Sequence, residues 1–128
     1  MIRQQFDIDY YWRVVVYYNV DYNFFGIIAN ELKEAGLSLK NLHILYIYMK
    51  SGYAKAVTYS DLQECISIVV FNKHDSEKDY INSLVHEAEH IKQAMLEAYS
   101  VEDKGEPPAY TIGYLVERMW STFKKLLT

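Results

Sequence analysis

From Asp75 to Asp103 the chain contains neither proline nor glycine. Inside that run Ile81, Leu84, Val85, Ala88, Ile91 and Met95 follow helical spacing and form one apolar stripe. Asp75 or Ser76 can cap the start, and Glu77 and Asp79 place negative charge in the first turn, where the helix dipole favours it. A long amphipathic helix is therefore expected here, and the remaining chain must supply the surface that covers its stripe.

That helix carries His86-Glu87-Ala88-Glu89-His90. Two histidines four apart are about 40° from each other around a helix and one turn apart along it, so both imidazoles face one point. Glu87 lies on the same side, beside that point and not on it. The spacing is the His-Glu-x-x-His logic of a zinc hydrolase. Two imidazoles hold the ion, the ion acidifies its water, and the carboxylate takes the proton. The plainer alternative is a helix that carries two solvated histidines.

A length of 128 residues predicts a single domain spanning 1–128. With 51% apolar and 23% charged residues, it has the composition of a globule that buries a core. A net charge of -4 argues against a nucleic-acid partner. The single cysteine, Cys65, excludes an intrachain disulfide and fits a reducing, cytoplasmic setting. The first residues, Met1 to Asp7, lack the uninterrupted apolar core of a signal peptide, and no stretch approaches the length of a membrane span. Thirteen tyrosines must in large part lie at the surface or line a groove, since buried hydroxyls need partners.

Residues 6 to 18 alternate, with Phe6, Ile8, Tyr10, Trp12, Val14, Val16 and Tyr18 on one side, which predicts one long strand. Asp21 can cap a helix through Phe24, Phe25, Ile27, Ile28 and Leu32, with Gly36 as its stop. Residues 41 to 49 are apolar on both faces and read as a central strand. Lys50-Ser51-Gly52 is a turn, residues 53 to 59 return as a strand, and residues 66 to 71 form a short strand before the motif helix. After a polar segment with Gly105, Pro107 and Pro108 open a last helix through Tyr110, Ile112, Leu115, Met119, Phe123 and Leu126. The expected order is strand, helix, three strands, helix, helix. The expected class is α+β, with a small, mostly antiparallel sheet of about four strands.

A catalytic zinc usually takes three protein ligands. The candidates are His43, His74, Glu89, Glu97, Glu102, Asp103, Glu106 and Glu117. Glu89 is turned about 100° from His90 around the helix. Glu106, sixteen residues after His90, stands where a following helix can fold back, and Pro107 biases it toward an N-cap conformation. It is the leading candidate, with an ordinary acidic cap as its alternative role, and Glu117 is the next. Tyr110 and Tyr114 share a helix face, either as groove wall or as a phenol that stabilises an oxyanion. His43 reads as a structural histidine in a strand, His74 as exposed, and Cys65 as packing. Strand 66–71 is expected to be the edge over the metal, where an extended peptide or protein substrate could add as a further strand.

His-Glu-Ala-Glu-His followed by Gly105-Glu106-Pro107-Pro108-Ala109-Tyr110 resembles the pattern of small gluzincin-type zincins, the minigluzincins of bacteria, phages and mobile elements. The likeness extends over most of the chain. It implies a zincin-like fold, a Zn2+ cofactor held by His86, His90 and Glu106, and Glu87 as the catalytic base of a metallopeptidase. A non-proteolytic zincin-like binding or scaffold module, of phage or mobile-element origin, is the alternative. A third reading is an α+β interaction protein with an accidental motif.

Overall fold

A computed structural model describes residues 1–9, 11–20 and 25–126. The chain begins with strands β1 (Ile2–Ile8) and β2 (Trp12–Val20), followed by helices α1 (Phe25–Glu34) and α2 (Leu39–Lys50). Strands β3 (Ala56–Asp61) and β4 (Ile66–Asn72) come next, and α3 (Glu77–Tyr99) and α4 (Glu106–Leu126) complete it. The strands form one sheet in the order β1-β2-β4-β3. β1 and β3 run antiparallel to their neighbours, whereas β2 and β4 are parallel. The class is α+β, and the sheet is mixed.

The two interior strands are covered on both faces. Val15, Tyr17, Ile68 and Val70 meet Ile28, Leu32, Leu42 and Met49 of α1 and α2. Val14, Val16, Val69 and Phe71 meet Leu84, Ala88 and Ile91 of α3, and Leu115, Met119 and Phe123 of α4. Phe123 stands edge-on to Tyr18, Phe71 and Tyr80, with ring centroids 4.7–4.8 Å apart, and so ties α4 to both the sheet and α3. No helix among the described residues is long and apolar enough to cross a membrane.

Three sequence expectations are corrected. Residues 6–18 are two strands joined by a turn, with Asp9 in the left-handed region at φ 51°. The alternation hid the reversal because Phe6 pairs with Val14 and Ile8 with Trp12. Cross-strand partners share a face, so the apolar parity runs unbroken through the turn. Residues 41–49 belong to helix α2, whose start is capped by Ser38 accepting a hydrogen bond from the Asn41 amide at 3.2 Å. Its two apolar faces are one that packs, through Leu42 and Met49, and one that stays exposed, through Ile44, Ile47 and Tyr48. Finally, β4 is no edge, since it pairs with β2 on one side and β3 on the other, which leaves β3 at the border of the sheet. Strand addition at residues 66–71 has no free backbone to use there.

The expected cap at Asp21, the helix residue Phe24 and the strand residue Tyr10 lie outside the described residues. The expected helix ends are found at three places. α1 ends before Gly36, which adopts φ 106°, and Ser76 caps α3 by accepting from the Asp79 amide at 3.2 Å. α4 begins at Glu106 with both prolines in its first turn, where their missing amides cost no hydrogen bond.

Candidate functional site

α3 buries Leu84, Ala88 and Ile91 against the sheet, and its flank runs beside β3. Glu87 falls at the border of the buried stripe, which turns its side chain inward, while His86 and His90 are left in solvent. The side chain of His86 is 69% exposed, whereas Glu87 as a residue is only 3% exposed. The Nε2 atoms of His86 and His90 are 3.2 Å apart and the ring planes are inclined at 78°. Two imidazoles bound tetrahedrally to zinc at about 2.05 Å would hold their nitrogens roughly 3.3 Å apart. The pair therefore fits one zinc ion, and the same distance also suits a hydrogen bond between neutral imidazoles.

Glu87 is anchored from the sheet border. The Thr58 hydroxyl of β3 donates to its Oε1 at 3.0 Å, and its Oε2 lies 3.9 Å from His86 Nε2. Burial pushes the Glu87 carboxyl above its ordinary value, against the opposing pull of the Thr58 hydrogen bond and of His86 and His90. One oxygen is thus held by the Thr58 hydroxyl, and the other lies near His86 Nε2.

The structure brings His86, Glu87 and His90 together and does not bring Glu106 to them. Among the described residues no three His, Cys, Asp or Glu side chains group as a metal would require. The reason is length. α3 continues nine residues past His90 to Tyr99, about 13 Å along the axis, before the chain turns. Glu106 is exposed at that far end, where the adjacent Pro107 lines a hollow with Met95, Leu96 and Tyr99. The other carboxylates are engaged or distant. Glu89 and Asp103 both hold the buried Lys92, at 2.7 and 2.9 Å, which fastens the loop after α3 to the helix. Glu102 pairs with Lys104, and Glu117 is exposed on α4.

Two histidines stand differently from their sequence reading. His43 is exposed on α2, because that segment is a helix. His74 is buried. Its ring stacks on Tyr80 at 4.5 Å, Nδ1 meets the Asn72 carbonyl at 2.7 Å, and Nε2 meets the Ser83 hydroxyl at 2.7 Å. A carbonyl only accepts, so Nδ1 carries the proton and Ser83 donates to Nε2. Burial accordingly pushes the His74 pKa down. This contact joins the end of β4 to α3 one turn before His86. His74 beside a capped helix start was its only signal in the sequence.

Tyr110 and Tyr114 serve as groove wall, lining a hollow with Asp7 and Ile8, and the Tyr114 hydroxyl donates to the Asp7 carbonyl at 3.3 Å. Cys65 is half-buried in the β3–β4 turn, with its thiol directed to the Leu62 carbonyl at 3.6 Å. Compared with family models, with curated proteins and with solved structures, the chain matches none.

Proposed function

We propose that this chain is a zinc-dependent hydrolase of zincin type acting on peptide bonds, with His86 and His90 as metal ligands and Glu87 as general base. The observation that carries the reading is the convergence of the two Nε2 atoms at 3.2 Å beside a buried carboxylate. Zinc bound there would acidify a water molecule and polarise a substrate carbonyl. Glu87 Oε2 accepts the proton of the attacking water and returns it to the leaving amine, while Thr58 keeps Oε1 from rotating away. Burial raises the proton affinity of Glu87, which favours its taking the proton. The free edge of β3, next to α3, offers main-chain groups to an extended peptide. Glu106, the third ligand implied by the resemblance, would reach the histidines only if the first turn of α4 left its place beside Met95 and Tyr99.

Among the described residues no third ligand joins the pair, which favours a second reading, a zincin-like module that binds without cleaving. Tag-free protein with measured zinc content, incubated with a proteome-derived peptide library, separates the two. Under the hydrolase reading the wild type carries one zinc and cleaves, His86→Ala and His90→Ala lose zinc, and Glu87→Gln keeps zinc without cleaving. Zinc bound with no cleavage by the wild type establishes the binding module. Equal zinc in wild type and His86→Ala removes both readings.

A further inference from the structure

The C-terminal end of α3, residues Ile8, Asp9 and Tyr11, and the start of α4 border two adjoining open hollows of about 520 and 550 Å³. They share Ile8, Asp9 and Thr111, so they form one groove, and each falls in the size range of small-molecule sites. The floor is apolar, built from Ile8, Met95 and Leu96. The walls are tyrosines: Tyr11 and Tyr99 in one hollow, Tyr110 and Tyr114 in the other. Tyr99 is braced edge-on against Trp12 at 6.1 Å, and Tyr114 against Phe6 at 6.3 Å, so two of the four rings are held in place before any ligand arrives.

The charge at this groove has one sign. Among the described residues no lysine, arginine or histidine lines it, and Asp9 lies where the hollows join. The Tyr99 phenol is pushed up chiefly by burial and then by Cys65, with the Asp9 carboxylate adding to the rise. Aromatic faces attract cations, a carboxylate neutralises them, and an apolar floor takes the hydrocarbon that carries the charge. The geometry points to a binding site for a small organic ammonium ion borne on an apolar body, separate from the histidine pair. Glu106, which the histidines do not recruit, adds a carboxylate at the same end of α4, next to the lining residue Pro107.

Titration with 2-phenylethylammonium and with its neutral analogue 2-phenylethanol, followed by calorimetry and by methyl NMR, tests the site. The ammonium should bind about tenfold more tightly than the alcohol, with shifts at Ile8, Met95 and Leu96. Asp9→Asn removes the charge and retains a residue that tolerates the left-handed backbone at φ 51°. It should reduce ammonium binding to the level of the alcohol and leave the alcohol unchanged. Thr111→Arg should block both compounds. Equal affinity of the two compounds for the wild type, a preference that survives Asp9→Asn, or shifts centred outside the groove would overturn the proposal. So would binding of a lysine-bearing peptide without binding of the free amine.

Discussion

A single carboxylate, Glu87, illustrates how a functional group is held at a cost in stability. It is buried, it has one hydroxyl partner, and its proton affinity is raised by the loss of water around it. When a carboxyl titrates higher in the folded state than in the unfolded one, the folded state binds the proton more tightly. Stability then falls as pH rises through the window between the two values, and above both the ionised group is a standing penalty. In metal-free protein Glu87→Gln should therefore raise the melting temperature at pH 7 to 8. The difference should shrink as pH falls through the raised Glu87 value, where the wild-type side chain becomes neutral as well. Thermal unfolding of both proteins from pH 4 to 8 in the presence of a chelator measures this. A difference that is constant with pH would show that burial does not control the titration of this group.

At the scale of elements, local capping settled what hydrophobic periodicity could not. Residues 41–49 are apolar on both faces, a pattern that a buried strand and an all-round apolar helix share. Ser38 decides for the helix by supplying an acceptor to the Asn41 amide, and Gly36 at φ 106° lets the chain leave α1 just before it. Ser38→Ala should cost about 1 kcal/mol of stability, whereas Ser76→Ala at the start of α3 should cost a similar amount and also loosen the motif helix. Urea unfolding gives the magnitudes, and amide hydrogen exchange assigns the loosening to α2 or to α3. Exchange that is faster in α3 for the Ser38 variant would mean that the two helices open together. α3 itself was legible from its unbroken stripe and its cap. The β1–β2 turn was not, since a hairpin whose partners share parity leaves no gap in the alternation.

The whole molecule places the histidine pair on the solvent side of α3, at the border of the sheet, and keeps α4 packed along α3 by the Phe123 cluster and the Lys92 clasp. If the pair binds zinc in the folded state alone, the metal stabilises the fold by mass action. Zinc at one hundred times its dissociation constant adds about 2.7 kcal/mol, and should raise the melting temperature by roughly 10 °C for a chain of this size. His86→Ala should melt at the same temperature with zinc as with chelator. A large zinc-induced rise in that variant would put the metal elsewhere.

Residue identity alone determined the chemistry on offer. Two imidazoles at positions i and i+4 of a helix share one side, because 3.6 residues per turn bring them within about 40° of each other, and a carboxylate at i+1 stands at the border of that side. Local sequence likewise determined α3, with Ser76 capping its start, and α4, opened by two prolines, since the apolar stripe of each lies within its own span. Tertiary structure decided what those groups meet. It set Thr58 against Glu87 across 29 residues and made β3 the sheet border in place of β4. It also carried Glu106 past the histidines to the far end of α3. Strand order and helix overlap depend on how distant apolar faces are covered together, and no window of sequence contains both faces.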